Sequence, residues 1–313
     1  MQNESVRQRQ TQSLYHSLGP LIGAALSQPD VVEVMANPDG TLWIDRHGTG
    51  REKIGTIDPV SVEATIRLLA GHMGMTVNRD HPAVSGTLPR SGERFQGVLP
   101  PLTEHPTFSI RRRASVIYTL DDYIQQRIIT AEQAHQLRDA IAQRKNILVA
   151  GGTGSGKTTF ANALLAEPAF TKDRIVIIED TRELQCSAPD KVELLTKSDE
   201  PKVTMNDLLR ISLRLRPDRI IVGEVRGGEA LALVKAWNTG HPGGIATIHA
   251  NSASDAIQRL EDLIGEAAPV IPRRAIATAL HCIIFIERIG TGTCRKMIVT
   301  FPDSAASASR VSV

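Results

Sequence analysis

Apolar residues recur along the chain in two different periods, and the change of period divides it. In the first third the runs are short and mixed. "VVEVMANPDGTLWIDRHG" places two strand-like runs around Asn-Pro-Asp-Gly, a turn signal, and so predicts a hairpin. "SVEATIRLLAGHMG" (61–74) carries Val62, Ile66, Leu69 and Met73 on one face, a helix ending near Gly71 or Gly74. The stretch from His81 to Arg113 alternates short apolar runs with Pro and Gly, which suits strands joined by tight turns. Before these, Leu18, Leu21, Ile22, Ala25 and Leu26 fall at helical spacing. "SLGPLIGAALSQ" is therefore expected to be a core helix rather than a signal-peptide core, because the residues ahead of it are long, glutamine-rich and include Glu4.

From about Ala114 the pattern changes. "ASVIYTLDDYI" has no clear period and is expected to link two domains. Thr130 and Gln133 stand in capping-box spacing, and Ala134, Leu137 and Ile141 follow as an apolar stripe, predicting a helix. After it "ILVA", "RIVIIED", "RIIVGE", "GIATIH" and "CIIFIE" are apolar throughout rather than alternating, with helical stretches between them. Such runs predict strands buried on both faces of a mostly parallel sheet. The expected organisation is a small mixed α/β domain over 1–112, a linker and domain entry over 113–129, an α/β domain with a mostly parallel sheet over 130–303, and a small, polar, disordered tail over 304–313.

Composition narrows the partners more than the fold. At 313 residues two domains are the prior expectation. A net charge of +2 and 4% aromatic residues give no basis for direct nucleic-acid binding or an anionic membrane surface. Cys186, Cys282 and Cys294 are odd in number and in no CxxC pair. Neither a disulfide framework nor a zinc site is indicated, and a reducing cytoplasm is expected. No apolar run approaches the roughly 18 residues of a membrane helix.

The strongest chemical signal is "GGTGSGKTT": Gly151, Gly152, Thr153, Gly154, Ser155, Gly156, Lys157, Thr158 and Thr159. It follows a predicted strand and opens a predicted helix, the context a phosphate-binding loop requires. Glycines let successive backbone N–H groups face phosphate oxygens, and the helix N-terminus adds positive potential. In that chemistry Lys157 reaches the β and γ phosphates and the Thr158 hydroxyl ligates Mg²⁺. No Asn-Lys-x-Asp element follows, so adenine is preferred to guanine; a small-molecule kinase remains open on the loop alone.

Three strand ends sharpen this. "RIVIIEDTREL" ends in Glu179 and Asp180 with Glu183 close behind, and "RPDRIIVGEVRGGE" ends in Gly223-Glu224 where an aspartate is usual. "TGHPGGIATIHANS" puts His241 and His249 on either side of a third strand. Carboxyl ends of parallel strands are where ligands bind in such sheets. Each residue alone also fits a helix cap or a core histidine; together, downstream of a P-loop, they point to nucleotide chemistry. Glu224 is the expected catalytic carboxylate, and the division of work between Glu224 and Glu179 stays open. Water-mediated contacts to Mg²⁺ are expected from Glu179 with Glu224, or from Glu179 with Glu183. Arg210 and Arg214 share a helix face and serve either an interface or plain solvation.

These motifs resemble the secretion ATPases that power type II and type IV secretion, type IV pili and conjugation. "GGTGSGKTT" looks like their Walker A loop, "IVIIEDTREL" their Asp box, "LLRISLRLRPDRIIVGEVRG" their Walker B strand, and "TGHPGGIATIHANS" their His box. "GTLPRSGERFQGVLPPL" and "FSIRRR" are similar to the segments preceding Walker A, so the resemblance covers most of the chain, and its shortness resembles the conjugation and type IV secretion branch. The resemblance implies a RecA-like P-loop domain over 130–303 and an ATPase using Mg²⁺ with ATP. It further implies a homohexameric ring with nucleotide held between the two domains, working at the cytoplasmic side of the inner membrane on secretion or conjugation channel components. By position it implies that Arg94 and Arg111 contact phosphate, while Arg112 and Arg113 are expected to be a solvated basic linker. A pilus or type II secretion motor and a DNA-translocating RecA-like motor are the alternatives.

Overall fold

The computed structural model describes residues 2–46, 49–89, 91–113, 117–197, 201–289 and 295–302, with side chains from residue 11 onward. The expected disordered tail at 304–313 lies outside the described residues, as does Cys294. The chain separates into two compact units, Met1–Ser115 and Val116–Val313.

The N-terminal unit begins with helix α1 (Gln2–Ser27), which breaks at Gly19, where φ is 75°, next to Pro20. Leu18, Ile22 and Ala25 of the predicted stripe are buried, Leu26 is half-buried and Leu21 is exposed. Strands β1 (Val31–Ala36) and β2 (Thr41–Arg46) form the expected hairpin, closed by Asn37 N–H donating to Thr41 O at 2.9 Å. Strand β3 (Gly50–Thr56) follows, then helix α2 (Pro59–His72), started by the Asp58 carboxylate accepting from Val60 N–H. Strands β4 (Ala83–Thr87), β5 (Arg94–Val98) and β6 (Thr107–Arg111) complete a six-stranded sheet in the order β3-β2-β1-β6-β5-β4. One face supplies Val34, Ile44, Phe95, Phe108 and Ile110 to a core shared with Ile22, Ile66 and Leu69 of the helices. Residues of opposite parity form the other face, as the two-residue period of a strand requires.

The C-terminal unit opens with two short helices, α3 (Leu120–Gln125) and α4 (Ala131–Ala142). Each starts with a reciprocal capping box, Thr119 with Asp122 and Thr130 with Gln133. Leu120, Tyr123 and Ile129 lie in this unit's core, so the predicted entry segment is built into it. The remaining elements are β7 (Ile147–Gly151), α5 (Lys157–Leu165), β8 (Ile175–Glu179), β9 (Lys191–Leu195), α6 (Met205–Ser212), β10 (Arg219–Val225), α7 (Glu229–Asn238), β11 (Ile245–His249), α8 (Ala253–Gly265), α9 (Arg273–Ala279), β12 (Cys282–Arg288) and β13 (Arg295–Thr300). The sheet runs β13-β12-β7-β11-β10-β8-β9, parallel except for the β12–β13 pair. The five apolar runs read from the sequence are its central strands. The edge strands β9 and β13 were not legible because their exposure leaves them too polar to resemble buried strands. Cores on both faces, one around Val222, Ile248 and Leu260, the other around Val149, Ile177 and Phe160, explain why the central strands are apolar at every position.

Two polar anchors set the edge of the sheet where its parallel strands begin. Asn146, fully buried, accepts from Gly243 N–H at 2.7 Å and Gly244 N–H at 3.1 Å and donates to Ala279 O at 2.7 Å. Arg219 is buried and donates from Nε to Asp173 at 2.6 Å and from Nη1 to Ile141 O at 2.9 Å, with its guanidinium 4.6 Å from the Phe170 ring centre.

Candidate active site

Parallel pairing brings the carboxyl ends of β7, β8, β10 and β11 to one edge. The β7–β11 register sets His249 beside Gly151, and the β8–β10 register sets Ile178 beside Val222. The strand-end residues Glu179, Glu224 and His249 therefore meet the loop 151–159.

Gly156 caps α5 with φ 103°, a left-handed conformation that favours glycine, and no side chain caps this helix. The first-turn N–H groups and the helix dipole thus face the loop. Lys157 is buried and its ammonium donates to the carbonyls of Gly151 at 3.0 Å and Gly152 at 2.9 Å, which holds Nζ over the loop. Gly152, Thr153 and Gly154 are exposed, Ser155 is buried, and Thr158 and Thr159 are half-buried on the first turn of α5. The Ser155 carbonyl accepts from Arg295 Nε at 2.7 Å, a tether from β13.

The glycine in the Gly-Glu ending is explained by Glu179. This carboxylate is buried and its Oε1 accepts from the N–H groups of both Glu183 and Leu184 at 2.9 Å, so it organises the turn after β8. To do so its side chain crosses the neighbouring strand: a Cβ at position 223 would lie 2.8 Å from Glu179 Cγ. Glycine is the residue that leaves this space.

Glu224 is aimed by an irregularity in the ladder. Between Val222 and Val225 the register of β10 against β11 shifts, pairing Val222 with Ala246 and Val225 with Ile248. The extra residue makes a bulge at Gly223-Glu224, pinned by Thr247 Oγ1 donating to Gly223 O at 2.6 Å. Bulges re-aim side chains beside active sites. Here Glu224 Oε1 comes to 2.7 Å from His249 Nε2. That approach lacks the alignment of a hydrogen bond, since this shielded oxygen has no hydrogen-bonding partner by direction; it is a close polar contact. The other oxygen, Oε2, accepts from Arg226 Nε at 2.8 Å and from Arg226 Nη2.

His249 joins this carboxylate to the P-loop, its Nδ1 lying 3.4 Å from Lys157 Nζ. An ammonium only donates, so Nδ1 accepts and the ring proton sits on Nε2. Partial burial, and next the Lys157 charge, push the His249 pKa below the usual imidazole value; Glu224 opposes them and Arg226 and Arg259 add to them. The ring is neutral at pH 7, as that tautomer requires. Glu183 lies at the loop side, Oε2 3.4 Å from Thr158 Oγ1, and the Glu183 carbonyl accepts from Asn162 Nδ2 at 3.3 Å.

The structure thus gathers Lys157, Thr158, Glu179, Glu183, Glu224 and His249 at one edge. It does not bring His241 there. His241 precedes β11, and its Nδ1 lies 2.9 Å from Pro217 O at the edge where the parallel strands begin. The expectation that both histidines serve one site is therefore corrected: a strand separates them. Arg94 and Arg111 belong to the N-terminal unit, where they are directly opposed in the β5–β6 ladder, with Glu33 opposite Arg111 on its other side. Arg112 is not a solvated linker residue: its guanidinium donates to Gln28 O, and its N–H to Val32 O at 2.9 Å. Arg113 likewise has a shielded Nε. Arg210 and Arg214 are exposed.

Two side chains of this edge were not singled out from the sequence: Arg226, which bonds Asp180 across the ends of β10 and β8, and Arg295, which reaches the P-loop from the last strand. Arg226 had one available signal, its position two residues after Glu224. Among the described residues no cluster of three or more His, Cys, Asp or Glu side chains forms a metal cage. No helix among them is long and apolar enough to cross a membrane.

Comparison with known proteins agrees with this geometry. The family described as "Type II/IV secretion system protein" matches residues 92–311. The conjugal transfer protein TrbB of Rhizobium radiobacter is 48% identical over 286 residues, spanning 91% of this chain and 88% of that protein. The type IV secretion system protein PtlH of Bordetella pertussis is 35% identical, spanning 87% of this chain and 90% of its own. Among solved structures, the VirB11 ATPase of the Brucella suis type IV secretion system, in complex with sulphate, superposes with a TM-score of 0.51 at 28% identity. That superposition covers 98% of this chain and all of the other. With a P-loop, an Asp box and a Gly-Glu strand end in one sheet edge, and relatives matched over nearly their whole length, this chain belongs to the type II/IV secretion system protein family.

Proposed function

We propose that this protein is the ATP-hydrolysing motor of a type IV secretion or conjugal transfer apparatus. The observation that carries the chemistry is the chain of contacts from Lys157 through His249 to Glu224, which couples a phosphate-binding lysine to a carboxylate at hydrogen-bonding range. The 48% identity to a conjugal transfer protein favours conjugation over a pilus or type II role.

In this reading the P-loop amides and Lys157 hold the β and γ phosphates of ATP. Mg²⁺ with nucleotide takes only one or two protein ligands beside phosphates and waters, and Thr158 with Glu183 at 3.4 Å supplies such a set. The ion supplies charge neutralisation on the phosphates when bound. Glu224 orients a water against the γ-phosphorus and takes its proton as the bond to ADP breaks. Glu179, with Oε1 committed to two backbone N–H groups, organises the turn that carries Glu183. Glu224 is thus the better base. Arg94 and Arg111 are the proposed phosphate-contacting arginines of the N-terminal domain (1–112), and 113–129 leads into the P-loop domain (130–303). Six copies form a ring at the cytoplasmic face of the inner membrane and transmit the work of hydrolysis to the channel.

The test is purified Glu224→Gln, with ATP binding and hydrolysis measured separately. Binding within about threefold of wild type with turnover reduced roughly 10²-fold or more is expected, the usual contribution of a positioned base. Retained binding with unchanged hydrolysis overturns the assignment.

A further inference from the structure

Glu224 is held on its second side by a residue to which nothing so far gives a role in the reaction. Arg226 lies two residues beyond it, at the end of β10. Its Nε and Nη2 both bond Glu224 Oε2, and its Nη1 lies 3.3 Å from Asp180 Oδ2 at the end of β8. Neither anchor is loose. Asp180 accepts on Oδ1 from Thr196 Oγ1 at 2.9 Å. The Arg226 backbone is fixed because its own N–H donates to Glu229 Oε1 at 2.7 Å, and the next N–H, of Gly227, donates to the same oxygen at 2.9 Å. The side chain therefore spans two strand ends from a fixed backbone.

We propose that Arg226 is a positioning residue for the hydrolytic reaction, setting the rotamer of Glu224 by forking between Glu224 and Asp180. The inference rests on the reading of Glu224 as the base. Two properties of the fork support it. Its bonds fall on Oε2 alone, leaving Oε1 turned to His249, so one oxygen is restrained and the other faces the P-loop side. A planar guanidinium meets two carboxylates in fixed directions, which a lysine cannot do. The bulge that carries Glu224 interrupts the ladder at this point, so the carboxylate needs a side-chain restraint where backbone pairing is lost. The alternative is a latch: the same fork holds Glu224 idle and releases it for the reaction.

Steady-state ATPase kinetics on the full chain separate these. Arg226→Gln is expected to lower kcat about 10- to 100-fold, the range set by misplacing a catalytic group by about 1 Å, with KM for ATP changed less than about threefold. Arg226→Lys recovers part of that loss, because one ammonium can pair with Glu224 but does not reach both carboxylates in the same plane. In a Glu224→Gln background, Arg226→Gln costs less than about twofold more, since a residue acting through Glu224 has nothing left to position. A rise in kcat for Arg226→Gln overturns the proposal in favour of the latch. An unchanged kcat, an effect confined to KM, or an undiminished loss in the Glu224→Gln background overturns it outright. Failure of the underlying reading shows separately, as Glu224→Gln alone turning over at the wild-type rate.

Discussion

Gly223→Ala isolates the reason for the unusual strand ending. The added methyl would sit 2.8 Å from Glu179 Cγ and 3.3 Å from Oε1, where ordinary contact begins near 3.4 Å. Glu179 cannot yield freely. It is 4% exposed, and its Oε1 accepts two backbone N–H groups at 2.9 Å. Relief requires a strained rotamer or a shifted strand, an overpacking cost of about 1–3 kcal/mol. It also weakens bonds to a charged acceptor that are worth about 1.5–3 kcal/mol each. A total near 3 kcal/mol is expected. The assay is urea unfolding followed by tryptophan fluorescence in a Trp43→Phe background, where buried Trp237 reports on the C-terminal unit alone. With a slope of about 1–3 kcal/mol per molar urea, the midpoint should fall by about 1–3 M. The cycle with Glu179→Ala is the control: once the Glu179 side chain is truncated, Gly223→Ala should cost less than about 0.5 kcal/mol more. A loss below about 0.5 kcal/mol in the otherwise wild-type chain refutes the close-approach argument. So does an equal loss in both backgrounds, which would indicate backbone flexibility instead.

Three further outcomes follow from the same site and from the opposite edge of the sheet. Followed by NMR, the His249 imidazole should titrate below its usual value. Lys157→Met should raise that midpoint and Glu224→Gln lower it further, because the lysine charge opposes protonation and the carboxylate favours it. Because the folded pKa is depressed, the stability this histidine contributes is present above the unfolded value near 6.5 and is lost as pH falls through the folded value. Wild type should therefore lose more stability than His249→Gln between pH 7.5 and 5.5. Asp173→Ala should cost about 3–5 kcal/mol in the same urea assay, since it leaves the buried Arg219 charge without its carboxylate. Replacing both partners by apolar residues of similar volume should cost clearly less, and an equal cost would refute the pairing argument.

Much of the chain was legible because its signals are short-range. A P-loop requires glycines, a lysine and a threonine within nine residues, and a capping box requires partners three apart. The box at Thr130 formed as the spacing predicted, and the Asn-Pro-Asp-Gly hairpin closed at Asn37 and Thr41. Strands apolar at every position announced a sheet covered on both faces, and neighbouring cores on either side of β7, β8, β10 and β11 are the cause. The carboxylates and the histidine that meet the P-loop were visible as strand endings, since parallel strands of similar length finish at one edge.

What only the tertiary structure decided depends on register and on side chains meeting across strands distant in sequence. His241 meets the Pro217 carbonyl, 24 residues earlier in the chain. The opposition of Arg94 and Arg111 comes from the β5–β6 register. Glycine at 223 is demanded by a side chain 44 positions earlier, and Glu224 is aimed by a bulge that exists only in the pairing of β10 with β11. Arg226 and Asp180 meet because β8 and β10 are neighbours. The sequence by itself determined that this chain has a phosphate-binding loop with acidic and histidine strand ends beside it. Which carboxylate is left turned toward the phosphate side was decided by packing, because Glu179 spends an oxygen on two backbone N–H groups while the bulge and Arg226 leave Glu224 Oε1 facing His249.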